Sequence, residues 1–471
     1  MSTEHVNNMK GKRNILTQRL RIVKEGARGL QNTKFYAILI ISAVLAGTLC
    51  LSPAISSLMN SVIIGSSGQI SILTITAASG SATDIQAAVN WIVAHSGIGN
   101  VYIPEGTFNF VNVGESWTGA RVNIPAGVNL FGAPTERDAN GQVIAWKTVL
   151  VMPWDVPGNW TNTSTWFQIL GNSNPNKPSR FSDIKLGGYR SIDPTSVTLH
   201  VGIEVDSVIN FRIDHCALEH MCGGGIKVWG LYCNGVIDHC RIYNLYGFDE
   251  LADYTKGNIG YGVQVSRAYY MDTFDPMMEV LGHYTNHTVF IEDNYFSRWR
   301  HCVASSLGAH YVFRYNVINE DSGHFSLDVH GLRDTGENRW GTRAAEFYEN
   351  NLTNVNMTDL RNIFQNGGGC GVWFNNYIDS SYRSIGIALY TEDYVPSEMW
   401  HLKDFYFWST KGAWVPSWNG NRPGFAEDRH VFADWYRPAY NVTDPQYPNV
   451  DPSWTIAGYK QYPYPHPLTL G

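Results

Sequence analysis

The 471-residue chain is 44% hydrophobic and carries a formal net charge of −7, from 34 basic and 41 acidic residues. This length and composition are typical of a globular protein with one large domain or two to three ordinary ones, and they exclude a disordered chain. The acidic balance excludes a general attraction to nucleic acid, so any anionic partner needs a local basic site.

The N-terminus combines a basic segment with an apolar one. Residues 1–34 contain eight Lys or Arg and two Glu, whereas residues 35–59 carry no charge. At about 1.5 Å per residue, a helix over 35–59 crosses a hydrocarbon layer of about 30 Å. We therefore predict a transmembrane anchor at 35–59, followed by a linker at 60–80. Because basic flanks stay in the cytoplasm, the rest of the chain would be extracellular and attached to the cell membrane. A cleaved signal sequence, which would give a secreted protein, is the alternative.

Six Asn-X-Ser/Thr sequons are compatible with an exported glycoprotein. They begin at Asn159, Asn162, Asn286, Asn351, Asn356 and Asn441. Of the seven cysteines, only Cys50 lies in the apolar segment, so disulfides are permitted in the remainder without being required.

The segment 83–97 predicts an amphipathic helix that begins at an N-cap Thr83 or Asp84. Its apolar face is formed by Ile85, Val89, Ile92 and Val93. Short strands interrupted by Pro-Glu-Gly and Pro-Ala-Gly turns follow it. A helix in this place is expected to cap the open end of a repeating stack.

Six short runs then share one pattern: an apolar residue, two variable positions, a small polar residue, a variable position and an apolar residue. The polar positions are Cys216, Cys240, Asn294, Asn316, Asn350 and Asn376. Their separations are 24, 54, 22, 34 and 26 residues. The longest separation predicts a further rung near residues 260–270, and the separation of 34 predicts a rung with an insertion.

This period, with strand, polar turn and strand, is typical of a solenoid whose turns stack about 4.8 Å apart. The polar positions would form a ladder of turn residues. Cys216 and Cys240 would then be neighbours within disulfide reach, although buried free thiols are favoured.

The chain resembles the pectate lyase-like superfamily of right-handed parallel β-helices, through "DIQAAV", "VYIPEGTF", "GVNLFGAP" and the two "IDHC" turns. The resemblance covers about residues 80–395 and the tail 459–468. We therefore predict an all-β protein with a parallel β-helix at 81–395 behind the capping helix. The aromatic and Pro-rich segment 396–471 would be a C-terminal cap.

Basic side chains are most concentrated in residues 298–346, and the resemblance implies that they act on polysaccharide. Lyases of this superfamily abstract the proton α to a uronate carboxylate with Arg or Lys, while calcium or another cation neutralises the acid. The predicted catalytic residues are Arg343, Arg339, His330, Asp328 and His310. The predicted substrate-binding residues are Arg300, His301, Arg314, His324 and Arg333. The proline and spacing of the superfamily's arginine-rich strand are missing here, so surface arginines paired with Glu346, Asp334 or Glu337 are the alternative.

Two pairs of side chains carry further hypotheses. Asp328 and His330 lie two positions apart and so share one face of a strand. They form a base oriented by a carboxylate, two metal ligands, or a pair that faces solvent. Asp214 and Asp238 occupy successive rungs, where like charges repel; either they face water, which we favour, or they share a cation such as calcium.

These patterns favour a membrane-anchored extracellular β-helix protein that acts on polysaccharide as a uronate-type lyase. A glycoside hydrolase, which needs two carboxylates, is less favoured. The alternative is a non-catalytic surface protein that binds cell-surface glycan or has an adhesive or structural role. Calcium is the cofactor named by this hypothesis, and the sequence predicts no oligomeric state.

Overall fold

A computed structural model describes a stack of β-strand coils and the elements that cover it. The described residues are 72–115, 117, 119–139, 141–153, 164–171, 174, 176–188, 200–221, 223–230, 232–243, 260–267, 282, 284, 287–319, 326–330, 341–353, 362–379, 385–389, 405–412, 416–418, 431–433 and 459–470. None of the helices in these ranges is long and apolar enough to span a membrane. The predicted anchor at 35–59 lies outside them.

The predicted capping helix is present as α1, Ala82–His95. Its N-cap is Ser81, whose side chain accepts a hydrogen bond from the Asp84 backbone N–H, so the prediction of Thr83 or Asp84 as the cap is wrong by two or three positions. Ala88 joins the buried face, whereas Val93 is 44% exposed. The helix packs on the first strands of the stack.

The strands of the described residues, numbered β1 to β34 in chain order, form three large parallel sheets and a small hairpin. Sheet A contains β1 Leu73–Thr76, β2 Gly99–Tyr102, β5 Val128–Phe131, β10 Arg180–Ser182, β13 Ile209–Asp214, β16 Asn234–Asp238, β19 Thr288–Glu292, β22 His310–Arg314, β25 Ala344–Tyr348, β28 Cys370–Phe374, β31 Phe405–Trp408 and β34 Val431–Ala433. Sheet B contains β3 Gly106–Asn109, β8 Thr148–Val151, β11 Ile184–Gly187, β14 Ala217–Glu219, β17 Arg241–Tyr243, β20 Tyr295–Ser297, β23 Val317–Asn319, β26 Asn351–Thr353, β29 Tyr377–Ile378 and β32 Lys411–Gly412. Sheet C contains β4 Gly119–Pro125, β9 Ser164–Leu170, β12 His200–Asp206, β15 Gly224–Trp229, β18 Tyr261–Ser266, β21 His301–Ser306, β24 Leu327–Val329, β27 Asn362–Asn366, β30 Ile385–Leu389 and β33 Pro416–Trp418. The hairpin pairs β6 Glu136–Arg137 with β7 Val143–Ala145.

Through the middle of the chain, each coil adds one strand to sheet A, then one to sheet B, then one to sheet C. Inward side chains of sheet A stack in register as Ile213, Ile237, Ile291, Phe313, Phe347, Trp373 and Phe407. Each of them is at most 1% exposed. Burial of this apolar surface joins the coils into one core, and the predicted parallel β-helix is confirmed.

A two-residue turn joins sheets A and B in six coils, and its first residue is left-handed. This first residue has a positive φ of 52–57° at His215, His239, Asp293, Tyr315, Glu349 and Asn375. The polar position of the repeat follows it, and the backbone N–H groups of Asn294 and Asn316 donate to the side-chain oxygens of Asn316 and Asn350, at 3.0 and 2.9 Å. These side chains satisfy buried backbone groups where the sheets end, so the predicted turn ladder is confirmed.

Two details of the repeat differ from the prediction. Asp238 of β16 pairs directly with Glu292 of β19, so a single enlarged coil separates Cys240 from Asn294. The strand near residues 260–270 is β18, which belongs to sheet C of that coil and adds no rung to the ladder. The sheets also continue past residue 395, because β31 to β34 pair with them.

The tail 459–470 returns to cover the outer face of sheet A. Arg314 donates to the carbonyls of Tyr462 and Pro463, at 2.6 and 2.9 Å. Arg212 donates to the carbonyl of Leu468 at 3.1 Å. The tail therefore crosses several coils and is held through its backbone by charged groups of the sheet.

Candidate functional site

The outer face of sheet C carries a row of side chains in register on successive coils. From β12 to β27 the row runs through Glu204, Lys227, Gln264, Ala304, Asp328 and Gln365. The residues on either side of Asp328, Leu327 and Val329, face the core and are fully buried. The alternation of a β-strand therefore directs Asp328 outward.

Asp328 lies between two imidazoles. Its Oδ2 is 2.6 Å from Nε2 of His330 and 3.2 Å from Nε2 of His301. His330 follows the end of β24, and His301 begins the adjacent strand β21. All three residues were candidates from sequence, and the register of the coils brings them together.

The electrostatic surroundings keep the Asp328 carboxyl ionised. Asp328 is 2% exposed, and burial on its own would raise the pKa of its carboxyl. The charges of His330 and His301, the hydrogen bond from His330 and the charge of Arg300 outweigh that burial and lower this pKa to about 2. An ionised carboxylate only accepts hydrogen bonds, so it favours the tautomer of His330 with the proton on Nε2, which leaves Nδ1 as the basic nitrogen of the neutral ring.

The carboxylate also has an oxygen with no hydrogen bond. Among the described residues, no donor reaches the buried Oδ1 of Asp328. Buried polar atoms without a partner are rare in folded proteins, and a water, an ion or a bound molecule commonly satisfies them. A proton donor on a bound molecule would satisfy this oxygen.

Glu204, Lys227 and Trp229 extend this polar face toward the N-terminal coils. Glu204 Oε1 accepts hydrogen bonds from the side chains of Trp229 and Gln168, at 2.8 and 2.7 Å. Lys227 Nζ lies 4.8 Å from the centre of the Trp229 ring. Sequence reasoning missed this group; the signal was the alternation of polar and apolar residues in "GIEVD" and "GIKVW", read in register with "SLDVH".

His310 and Arg343, two predicted catalytic residues, lie at the adjoining edge of sheet A. His310 pairs in register with Ala344, so Arg343 is one position from it on the next coil, as expected from the ladder. Both are buried, at 1% and 4% exposure. The backbone N–H of Thr342 donates to the carbonyl of His330 at 2.8 Å, which links this edge to the Asp328 group.

Arg300 is half-buried beside this group and contributes to the charge around Asp328. Arg314, also expected to bind substrate, is instead fully buried on the outer face of sheet A. Its guanidinium pairs with Glu292, with 2.6 Å between Nη2 and Oε2. Three further predicted residues lie outside the described residues: Arg333, Arg339 and His324.

Asp214 and Asp238 also lie on the outer face of sheet A. Both are fully buried, so the expectation that they face water is wrong. Arg180 binds both carboxylate oxygens of Asp214, at 2.7 and 2.8 Å, and Arg212 binds those of Asp238, at 3.0 and 2.9 Å. Within the described ranges, no group of three or more His, Cys, Asp or Glu is arranged to hold a metal, and the calcium hypothesis stays a prediction.

The remaining expectations concern surface modification and thiols. Asn351 is exposed on β26, whereas the five other sequons begin outside the described residues. Cys216 and Cys240 are free and buried, as favoured from the sequence. Burial is the largest of the causes that raise the pKa of the Cys216 thiol well above its usual value.

Comparison with known proteins returns likenesses in architecture. No protein-family model matches the sequence, and no curated protein matches it either. Among solved structures, the chain is similar to the A-module of a mannuronan C-5 epimerase from Azotobacter vinelandii, with 13% identity, a TM-score of 0.42 and coverage of 75% of this chain and 92% of that one. The tailspike protein of E. coli bacteriophage HK620, in complex with a pentasaccharide, has 14% identity and a TM-score of 0.42, with coverage of 74% of this chain and 59% of that one. An alginate lyase from Paenibacillus has 11% identity and a TM-score of 0.32, with coverage of 76% of this chain and 99% of that one. At these values the likenesses assign no activity to this chain.

Proposed function

We propose that the protein acts on an acidic polysaccharide at the outer face of sheet C, as a uronate-type lyase. The observation that carries the proposal is the buried, ionised Asp328 between the imidazoles of His330 and His301. A carboxylate that fixes a histidine tautomer and stabilises its protonated form makes that histidine an effective base.

In the proposed reaction, His330 removes the proton α to the carboxylate of a bound uronate. The electron pair forms the C4–C5 double bond, and the glycosidic C4–O bond breaks. The leaving oxygen takes a proton from an acid, for which His301 is the nearest candidate in the group. Asp328 stabilises the imidazolium formed on His330, and the cationic Arg300 offsets the charge that develops on the uronate carboxylate.

Elimination is favoured over hydrolysis by the composition of the group. Hydrolysis of a glycoside requires two carboxyl groups, about 5–9 Å apart. The charged groups that lower the pKa of Asp328 are two histidines and an arginine. Such a group fits proton transfer next to an anionic substrate. Placement of the coils outside the cell, behind a membrane anchor at 35–59, is part of the proposal and rests on the N-terminal sequence alone.

The test incubates the full chain with polyuronates and neutral polysaccharides, with and without added calcium. A lyase gives an ultraviolet-absorbing unsaturated product together with new reducing ends, whereas a hydrolase gives reducing ends alone. We expect His330→Gln to lower the rate by about 10²–10⁴-fold. The control is His95→Gln, since His95 is exposed on α1. A full panel without product, or a fully active His330→Gln, overturns the proposal.

A further inference from the structure

The outer face of sheet B carries an exposed row that the proposed site on sheet C does not use. In register from β17 to β32, the row consists of Arg241, Tyr295, Val317, Asn351, Tyr377 and Lys411. Arg241, Asn351, Tyr377 and Lys411 are exposed, and Tyr295 and Val317 are half-buried. Five strand steps of about 4.8 Å make the row about 24 Å long.

Arg241 is held in place by aromatic rings. Its guanidinium carbon lies 4.7 Å from the centre of the Tyr243 ring and 5.3 Å from that of Tyr295. Tyr243 itself donates a hydrogen bond to Glu219, and Asn319 donates to the Tyr295 hydroxyl at 3.0 Å, so both rings are anchored. A planar guanidinium stacked in this way loses little freedom when it binds a second group.

The charge of the row is not neutralised within the described part of the chain. Neither Arg241 nor Lys411 has an ion pair there, and no acidic residue belongs to the row. Of the acids on the neighbouring row, Glu219 is 2.5 Å from Lys185, and Asp379 follows the end of β29. In a chain of net charge −7, this row supplies a local basic site of the kind that an anionic partner requires.

We propose that this row is a second, non-catalytic binding surface for an acidic polysaccharide. Arg241 would bind a carboxylate or sulfate through two parallel N–H donors, and Lys411 would bind a second acidic group further along the polymer. The tyrosine rings and the Asn351 amide between them suit the apolar faces and hydroxyl groups of sugar rings. Two cations about 24 Å apart match a polymer of modest charge density, whereas nucleic acid has a charge about every 1.7 Å along its axis.

The surface is tested by binding, in full-chain protein that carries Asp328→Asn so that turnover is slow during the measurement. The protein is produced without N-glycosylation, because Asn351 begins a sequon in the row. The immobilised probes are a long polyuronate, dextran sulfate, neutral dextran and duplex DNA. Dextran sulfate and polyuronate distinguish sulfate from carboxylate as the group that Arg241 binds.

We expect Arg241→Gln to weaken binding to at least one of the acidic polysaccharides about tenfold, and Lys411→Gln to weaken it about threefold, because charge-assisted contacts are lost. Arg241→Lys keeps the charge without the planar stack and should fall between wild type and Arg241→Gln. The matched control is Arg137→Gln in the β6–β7 hairpin, where Arg137 is 40% exposed in its side chain; it should stay within twofold of wild type.

An Arg241→Gln protein that binds as well as the Arg137→Gln control overturns the inference. Tighter binding of duplex DNA than of either acidic polysaccharide also overturns it. The outcome is separate from that of the proposed lyase. If Arg241→Gln weakens binding and the wild-type protein forms no product, the binding surface is supported and the lyase is not. If the wild-type protein forms product and Arg241→Gln has no effect on binding, the lyase is supported and the binding surface is not.

Discussion

The pKa values of two buried carboxyl groups, on different outer faces of the coil stack, are shifted in opposite directions. Asp328 on sheet C lies between two imidazoles, and the pKa of its carboxyl is lowered to about 2. Glu346 on sheet A lies beneath the tail; burial raises the pKa of its carboxyl to about 7, although the hydroxyls of Tyr459 and Tyr284 donate to it. At Glu346 the neutral donors offset the loss of hydration only in part, whereas the charged groups around Asp328 more than compensate for it.

The same contrast extends to the two faces. On sheet A, carboxylates pair with arginines in bidentate geometry and the tail excludes water from them. Asp214 and Asp238 also contact the imidazoles of His215 and His239, at 2.7 and 2.9 Å, so each of these carboxylates is shared between an arginine and a histidine. On sheet C, both ion-pair partners of Asp328 are histidines, which gain and lose protons near neutral pH. This difference supports the proposal that the chemistry takes place on sheet C.

Asp328→Asn is the strongest test of the sheet C assignment. The variant removes the charge that fixes and stabilises the imidazole of His330, so we expect a loss of lyase activity of about 10²–10⁴-fold. Because the folded pKa of this carboxyl lies below its unfolded value, its contribution to stability is present above pH ~4 and is lost as pH falls toward 2; the full contribution is about 2 kcal/mol. Initial rates and urea unfolding at pH 7 measure the two effects.

The control for Asp328→Asn is Asp206→Asn, on the same sheet and four strands away from Asp328. An Asp328→Asn protein that keeps full activity would remove the chemical role from sheet C. The contrast between the two faces would then reduce to one of stability.

Arg314→Met tests the structural role of sheet A. The substitution leaves Glu292 buried without its guanidinium partner and removes the donors to the tail carbonyls. Breaking a buried ion pair from one side costs about 3–5 kcal/mol in the free energy of unfolding. Urea unfolding should show this loss, while the exposed control Arg137→Met changes it by less than about 1 kcal/mol. Equal midpoints for the two variants would contradict the assignment.

Much of the fold could be predicted from sequence because its determinants are local and repeated. The spacing of Asn294, Asn316 and Asn350 reports a turn that recurs in each coil. The Asp328–His330 pair could also be predicted, because residues two apart share a strand face whatever surrounds them. The role of Arg314 could not, since its burial depends on Tyr462 and Pro463, about 150 residues further along the chain.

The direction of each pKa shift gives a pH test of the comparison. Because the folded pKa of Glu346 lies above its unfolded value, stability should fall as pH rises from about 4.5 to 7, by about 3 kcal/mol from this group. Glu346→Gln should remove that dependence and stabilise the protein at pH 8 relative to wild type. Melting temperatures at pH 5 and pH 8 measure it, with the exposed Glu105→Gln as control. An unchanged pH dependence in Glu346→Gln would show that the carboxyl is hydrated.

Tyr464→Phe should have the smallest effect and shows how the tail is held. The tyrosine hydroxyl donates to Asp293 at 2.7 Å, and its ring stacks on Tyr315 with 3.7 Å between centres. Phenylalanine keeps the stack, so the 45% exposed side chain should lose only about 0.5–1 kcal/mol. Urea unfolding beside Tyr232→Phe, another exposed tyrosine, measures this loss.

A loss from Tyr464→Phe as large as that from Arg314→Met would mean that the side chains of the tail hold it to the sheet. We expect the reverse, because Arg314 and Arg212 donate to backbone carbonyls and Glu292 accepts from the backbone N–H of His466. Backbone atoms are the same in every residue other than proline. The charged residues of sheet A therefore hold the backbone of the tail, beside the packing of Tyr459, Tyr462 and Leu468 on the buried cluster of that sheet.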